Sequence, residues 1–444
     1  MSDPDLRDAD WLPVAEARER ILAAVSPLPP AQLPLLDALG LGLAEEITSP
    51  VDHPPWDNSA MDGFAVRAED VRGASPESPV LLEVTQDIPA GAFPSGEIGA
   101  GQAARIMTGA PVPSGADSVI RVEHTDAWES EPWARGPQDR IRVLRPDDAG
   151  RNIRRRGEDL NQGQPVLRRG TVLRPAEVGV LASVGRTTVR VHRRPRVAIL
   201  SNGDELVEPE EIAQVEAGRK IVNSNAWSLA ASVLVAGGTP VPLGIARDDE
   251  DDIRAKLAPA LADADLLVTS AGASVGEHDL LKRVLDGLGM ELGFWRVQMR
   301  PGSPFSFGTV PREEREPLLV FGLPGNPVSA LVTYEVLVRP ALLRLMGRSR
   351  VGPVALRVRA AERIGSKRGL THFLRVRLER GRDGLWEARL TGPQGSGILT
   401  SMAEADALLV VPLERDAVEA GEMVVALPLR SPEEWGEAAR YDGG

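Results

Sequence analysis

The stretch Pro317-Leu-Leu-Val-Phe-Gly-Leu-Pro-Gly-Asn-Pro-Val-Ser-Ala330 decides the fold class. Its apolar start, Pro317 to Phe321, reads as a buried strand that stops at Gly322. Asn326 then stands where a helix N-cap belongs, and Pro327 takes the first helical position, where a missing N–H costs nothing. The helix runs on through Ala330-Leu-Val-Thr-Tyr-Glu-Val-Leu-Val338. Such a unit leaves free backbone N–H groups at the positive end of the helix dipole, above the strand end. Gly322 and Gly325 let a ligand approach the backbone. Taken alone, the stretch is read as plainly by a tight turn without a ligand. A second turn, Thr269-Ser-Ala-Gly-Ala-Ser-Val-Gly-Glu-His-Asp279, tips the balance. It follows the apolar run Asp265-Leu-Leu-Val268 and opens another helix. Two such turns in one α/β unit predict a phosphate-bearing or other anionic ligand.

Around that unit the chain alternates strand and helix from Arg196 onward. Val197–Leu200, Pro240–Ile245 and Asp265–Val268 read as strands; Ala226–Val235, Asp249–Leu261 and Asp279–Leu288 read as helices. This rhythm predicts a mostly parallel sheet with helices on both faces and ligands at the carboxyl ends of the strands. Upstream, Val14 to Val25 repeats apolar residues at helical spacing, and a second short helix is expected over Pro34 to Glu46. From Thr48 to about Pro146, short apolar runs between Gly/Pro turns predict a β-rich domain. A helix is expected at Pro175–Val184. Beyond Met346-Gly-Arg, short alternating runs (His372–Leu378, Leu408–Val411) predict a small C-terminal β domain, and the last dozen residues read as a tail.

Composition narrows the function. The 444 residues are enough for about three domains. Aromatics make up only 4%, so the cores must be aliphatic. With 51 Lys and Arg against 64 Asp and Glu, the net charge of −13 disfavours nucleic acid and anionic membranes as partners. Any bound anion must be held locally. The absence of cysteine excludes disulfides, thiolate catalysis and iron–sulfur ligation. The five histidines form no zinc-protease motif. The polar N-terminus and the lack of a long apolar run predict a soluble, cytoplasmic protein. Neither a P-loop nor a G-x-G-x-x-G fingerprint is present.

What remains is glycine turns, carboxylates and arginines. Asp57-Asn-Ser-Ala-Met-Asp-Gly-Phe64 packs two carboxylates, an amide and a hydroxyl beside Met61 and Phe64, which favours an ordered site over a solvated turn. Ile106-Met-Thr-Gly-Ala-Pro-Val-Pro113 carries Thr108. In Trp295-Arg-Val-Gln-Met-Arg-Pro-Gly-Ser-Pro-Phe305, a regular strand would put Arg296 and Arg300 on one face, suited to a tetrahedral oxyanion. Glu205, Asp249 and Asp279 fall beside predicted strand ends, where hard oxygen ligands suit Mg²⁺ bridging a phosphate. Asp249 is equally read as part of the acidic start of a helix, Asp248–Asp252.

Together with Gly157-Glu-Asp-Leu160, Ser201-Asn-Gly-Asp-Glu-Leu206 and Ser274-Val-Gly-Glu-His-Asp279, these motifs resemble the molybdopterin molybdenumtransferases, the MoeA-type family that includes the gephyrin E domain. They appear in family order from about Trp11 to Leu427. The resemblance implies an elongated homodimer whose subunits have four domains: an elongated N-terminal one (10–50 with 143–190), a β-rich insertion (51–142), a central doubly wound α/β molybdopterin-binding domain (191–347) and a small C-terminal β domain (348–430). It implies that molybdate is inserted into adenylylated molybdopterin with Mg²⁺, releasing AMP. The site would be shared between the α/β domain of one subunit and the β-rich domain of the other. Carried over residue by residue, Asp57, Thr108, Asp159 and Glu205 are catalytic, and Glu205 and Asp249 hold the metal. Ser274, Gly276, Asp279, Arg296, Arg300, Ser303, Gly322, Pro324, Gly325, Asn326, Pro327 and Ser329 bind substrate. Molybdopterin adenylyltransferase and molybdoenzyme maturation factors are the implied partners. The chain departs from the family in two places: Ser303 stands where lysine is frequent, and Ala271 where a second glycine is common. The rival readings are a molybdopterin adenylyltransferase and a non-catalytic dimeric scaffold.

Overall fold

The computed structural model describes residues 11–128, 138–270 and 280–430. Two compact units emerge: one of Glu46–Arg168 with Gly179–Arg186, the other of the remaining chain. Helix α1 (Val14–Ala23) buries Ala17 and Ile21, and Pro13 occupies its N-cap. The helix expected over Pro34–Glu46 is absent. Residues Pro30–Pro34 instead form strand β1, and turns follow. The segment is rich in helix-forming Leu, Ala and Glu, and the physical reason is a competing strand partner for its start combined with two interrupting glycines, Gly40 and Gly42. β1 pairs antiparallel with a later strand through five register positions. At Gly40 (φ +80°) the chain turns left-handed, and a Cβ on Gly42 would fall 2.7 Å from the Gly347 carbonyl.

The smaller unit is β-rich, as its turn spacing predicts. Strands β2 (Gly63–Val66), β3 (Val80–Ile88), β4 (Gln102–Ile106), β5 (Ser118–Arg121) and β6 (Arg140–Val143) form one sheet in the order β5-β2-β4-β3-β6. Both faces are covered: Phe64, Leu82, Ile120 and Ile141 pack on one side, Ile88, Ile98, Ile106 and Val119 on the other. β2 is therefore buried at every position and shows no alternation.

Helix α2 (Pro175–Ser183) and strand β7 (Thr188–His192), the partner of β1, precede the α/β region. There β8 (Arg196–Asn202), α3 (Ser224–Ala236), β9 (Thr239–Ala246), α4 (Glu250–Asp263), β10 (Leu266–Ser270), α5 (Leu280–Gly287), β11 (Glu291–Trp295), β12 (Met299–Arg300), β13 (Ser306–Val310) and β14 (Leu318–Leu323) follow in turn. The six-stranded sheet has the order β9-β8-β10-β14-β13-β11. The first four strands are parallel, and β13 and β11 complete an antiparallel edge. Because the chain goes outward to β9 and then returns to the far side of β8, the sheet is doubly wound. Its switch point lies between β8 and β10. The near-continuous apolar runs of β8, β10 and β14 follow from burial on both faces. α6 (Pro327–Thr333) continues through a π-helical turn, Tyr334–Val338, into α7 (Arg339–Leu345).

The C-terminal strands β15 (Leu356–Ala360), β16 (Thr371–Arg380), β17 (Trp386–Leu390), β18 (Ala407–Val411) and β19 (Met423–Pro428) run in the order β16-β17-β15-β19-β18. Pairing of β16 with β18 closes them into a barrel around Val358, Val376, Leu409 and Val424. Strand β12 adds to β16, with Arg300 in register with His372. No helix among the described residues is long and apolar enough to cross a membrane.

Candidate functional site

The ends of β8, β10 and β14 open into a cleft of about 1040 Å³ at the switch point. Asn202, Glu205, Asn225, Ser270, Gly325 and Asn326 contribute to its lining. Gly203 makes the first turn possible, since its φ of +146° is a conformation that residues with a side chain rarely adopt. Glu205 is exposed at the mouth. Three asparagines frame the cleft. Asn223, buried, accepts from Ser201 Oγ at 2.8 Å and caps α3 at Ala226 N–H. Asn225 donates through Nδ2 to Ser270 Oγ and to the Gly325 carbonyl, both at 2.7 Å, and so ties β10 to the turn after β14. Asn202 donates to Asp248 Oδ1 at 2.9 Å. The Oδ1 atoms of Asn202 and Asn225 are buried without a partner among the described residues. Sequence reasoning missed Asn223 and Asn225, and it placed Asn202 in the Ser201–Leu206 motif without giving it a role. The signal was Asn223-Ser-Asn225 immediately before an apolar helical run, an N-cap signature.

The turn at Gly322–Ser329 lies where expected, with two differences. β14 continues through Leu323, and Pro324 is buried behind it. Asn326 occupies the N-cap without a side-chain cap bond. The helix terminus is also less open than its sequence predicts. Pro327 has no N–H, and Val328 N–H donates to the Ser396 carbonyl at 3.1 Å. Ser329 is buried. Asp249 caps α4, its Oδ1 accepting from Asp251 and Asp252 N–H at 3.1 and 3.0 Å, and it is not among the residues lining the cleft. The described residues contain no group of three or more acids, histidines or cysteines suited to a metal. Ser274, Gly276 and Asp279 lie outside the described residues, as does Ala271.

Arg296 and Arg300 do not share a strand face. Strand β11 ends at Trp295, and Arg296 has φ +71°, which breaks the alternation. Its guanidinium lies over the rings of Trp295 (4.0 Å) and Trp11 (5.2 Å). Arg300 instead faces a separate pocket of about 1100 Å³ with Arg363, Lys367, His372 and Arg375, and no carboxylate among the described residues lines it. The neighbouring Gly302 (φ +103°) is fixed by crowding, since a Cβ would meet Thr333 Cγ2 at 2.4 Å. The Ser303 hydroxyl donates to the Met299 carbonyl at 2.5 Å, holding the bend after β12. His372 accepts the Lys367 N–H at Nε2, 3.1 Å away. Burial foremost, and also the nearby Arg300 charge, hold its pKa below the usual imidazole value, against the Lys367 carbonyl, 3.2 Å from Nε2, which favours the protonated ring.

The smaller unit carries its own polar group. Asp57 accepts from Arg156 N–H at 2.8 Å and pairs with Arg155 at 2.6 Å. These contacts, the backbone bond foremost, lower its pKa against the opposing effect of partial burial. Asp62 Oδ1 accepts both the N–H and the hydroxyl of Thr108 at 2.7 Å. Asp159 is exposed, and its N–H donates to the His53 carbonyl. Asp57 and Asp159 thus belong to one turn system, joined by pairing of His53 with Leu160.

A doubly wound sheet with a polar cleft at its switch point, followed by a closed barrel, defines an α/β protein of the ligand-binding class. Three family models match the chain: the MoeA N-terminal region (domain I and II) over residues 12–185, a probable molybdopterin binding domain over 198–344, and the MoeA C-terminal region (domain IV) over 357–429. The molybdopterin molybdenumtransferase of Nostoc sp. is 38% identical, covering 88% of this chain and 87% of its own. That of Bacillus subtilis is 35% identical and covers 94% of each. The crystal structure of the molybdopterin biosynthesis moeA protein from Pyrococcus horikoshii OT3 has 30% identity and a TM-score of 0.78, covering 94% of this chain and 100% of that one. The chain belongs to the molybdopterin molybdenumtransferase (MoeA) family, enzymes of molybdenum cofactor biosynthesis.

Proposed function

We propose that this enzyme inserts molybdate into adenylylated molybdopterin, releasing AMP and molybdenum cofactor. The observation that carries the reading is the pair of hollows beside the Gly322–Ser329 turn: a polar cleft at the switch point and a basic pocket around Arg300. The cleft suits the phosphates and pterin edge of the substrate, and the pocket suits a dianion that the net charge of −13 would otherwise repel. The dithiolene sulfurs come with the pterin, so a chain without cysteine can do this work. Its own residues position substrates and neutralise charge. In this reading Gly325, Asn326 and Pro327, with Ser274, Gly276 and Asp279, hold the pterin substrate, and Gly322, Pro324 and Ser329, buried behind them, shape the turn. Arg300 holds molybdate, with Ser303 shaping the bend beside it and Arg296 supporting the segment. Asp57, Thr108, Asp159 and Glu205 serve the chemical step. The relatives' names, over nearly the full chain, favour this reading over an adenylyltransferase or a scaffold.

Mg²⁺ fits a site made by Glu205 with substrate phosphate oxygens, the usual way this ion is held. Asp249 would join only by leaving its cap. The ion would supply charge neutralisation at the phosphates.

Further parts of the reading are a four-domain subunit with the boundaries given above, a cytoplasmic location, supply of substrate by molybdopterin adenylyltransferase, and a homodimer in which Asp57 and Thr108 of one subunit meet the cleft of the other. An exposed apolar patch supports the homodimer. Helix α3 has no charged residue, and Trp227, Leu234 and Val235 are exposed along it. Arg194 bonds the carbonyls of both Gly237 and Leu39, which brings the end of α3 to the turn bearing exposed Leu36 and Leu39. The test of function is reconstitution: purified protein, adenylylated molybdopterin, Mg²⁺ and molybdate should activate an apo-molybdoenzyme. Failure with any one component omitted is expected, and failure with all present refutes the reading.

A further inference from the structure

The cleft and the basic pocket share a wall. Gln394 and Gly395 line the basic pocket, and the carbonyl of the next residue, Ser396, accepts the Val328 N–H beside the turn that lines the cleft. What holds this segment is Arg375, which is 0% exposed. Its Nε donates to Ser401 Oγ at 2.9 Å, and its terminal nitrogens donate to the carbonyls of Pro393 (3.3 Å), Gln394 (3.2 Å) and Gly395 (2.9 Å). Gln394 answers through its side chain. Its Oε1 accepts the Arg375 N–H at 2.8 Å, and its Nε2 donates to the Arg375 and Gly392 carbonyls at 3.2 and 3.0 Å.

Every one of these acceptors is neutral. A buried guanidinium solvated only by dipoles still lacks a counter-charge, and burial accordingly lowers its pKa. It offers five N–H donors, of which these contacts use four. An anion in the adjoining pocket therefore compensates the charge without displacing any carbonyl.

We infer that the Pro393–Ser396 segment is a strap that couples the basic pocket to the pterin cleft, with Arg375 as its positioning residue. An oxyanion in the pocket stabilises the arrangement in which Arg375 grips the strap, and the strap in turn fixes Val328 and the Gly325–Pro327 turn. Molybdate binding thus pre-organises the cleft. By linkage, the pterin substrate favours molybdate to the same degree. The inference rests on the reading of the Arg300 pocket as the molybdate site.

The test combines hydrogen exchange with two variants of the full chain. In the unaltered protein, molybdate alone should slow exchange of the peptide spanning Gly322–Thr333 at least fivefold, and chloride at equal ionic strength should not. Gln394→Ala cuts the strap's side-chain ties and leaves every charge in place. It should speed exchange of that peptide, abolish the molybdate response and weaken adenylylated molybdopterin binding about tenfold, with molybdate affinity changed much less. Arg375→Lys keeps the charge but loses the fork, and should give the same exchange pattern if it folds. The coupling is overturned if molybdate binds the unaltered protein without changing that exchange. It is also overturned if Gln394→Ala lowers only the melting temperature and leaves pterin affinity and the molybdate response intact. Failure of the underlying reading looks different: Arg300→Ala would leave molybdate affinity unchanged, whatever the strap does.

Discussion

Arg300 and Asp57 are held in opposite ways, and the difference sets what each substitution should do. Arg300 is exposed beside Lys367, Arg375 and an Arg363 paired with Glu419, in a pocket lined by no carboxylate among the described residues, so its charge is available to an anion. Because of that exposure, Arg300→Ala should weaken molybdate use by about 1 kcal/mol, the upper end for an exposed charged contact. Pterin affinity should change much less. Titration of molybdate at fixed pterin, with pterin affinity measured separately, checks the split; collapse of pterin binding alone would make Arg300 a phosphate ligand. Asp57 is already paired, with Arg155 and the Arg156 N–H, on an exposed turn. Asp57→Ala should fold normally and lose no more than about 1 kcal/mol of stability, as for other exposed pairs. Most molybdenum insertion should disappear. Full activity in the folded variant would leave the pair a surface feature only.

At the scale of elements, burial separates what a single sequence discloses from what it hides. The α/β rhythm was legible because β8, β10 and β14 are buried on both faces and must be apolar throughout. Long-range partners were not legible. Nothing in Pro34–Glu46 announces that β7 captures the preceding residues, or that Ser396 occupies an N–H at the start of α6. Strand alternation also failed at Arg296, whose own left-handed backbone takes it out of line with Arg300, which a regular strand would have matched to it. The same limit hides Asp148, to which the sequence reading gives no role and which is only 2% exposed. It accepts from Arg121 Nε and Nη2 at 3.0 Å and from Arg121 N–H at 3.1 Å, with His124 Nδ1 at 2.9 Å. Burial would raise its pKa, yet the Arg121 bonds prevail and lower it. A depressed folded value means that the stabilisation is present at neutral pH and is lost as pH falls below the unfolded value of about 3.9 toward the folded one. Asp148→Asn should cost about 2 kcal/mol at pH 7, less than a fully buried pair because Arg121 is 38% exposed. The difference between variant and parent should shrink by pH 3. Urea unfolding at the two pH values tests this, and an equal loss at both would assign the effect to packing.

At the scale of the whole molecule, the distribution of apolar surface argues for self-association. The chain is acidic and charged residues are 26% of it, yet the 13 residues of α3 include none. Val235 is 87% exposed, Leu234 62% and Trp227 59%, and these positions recur at helical spacing along one side. Leu36, 78% exposed, stands on the turn that Arg194 ties to the end of α3. A soluble monomer rarely leaves so much contiguous apolar surface in water. Two copies meeting through such a patch bury like against like, as a two-fold interface requires. We expect a dimer at micromolar concentration by light scattering. Leu234→Glu with Val235→Glu should place charges in that contact and give a folded monomer, with unchanged circular dichroism. The variant should also lose molybdenum insertion, because the proposed site takes Asp57 and Thr108 from the second subunit. Mixing it with an Asp57→Ala variant should not restore activity, since a chain that cannot dimerise cannot lend its turn. A monomeric parent protein would remove both the interface and the shared site. An active monomeric variant would keep the interface and show that each subunit works alone.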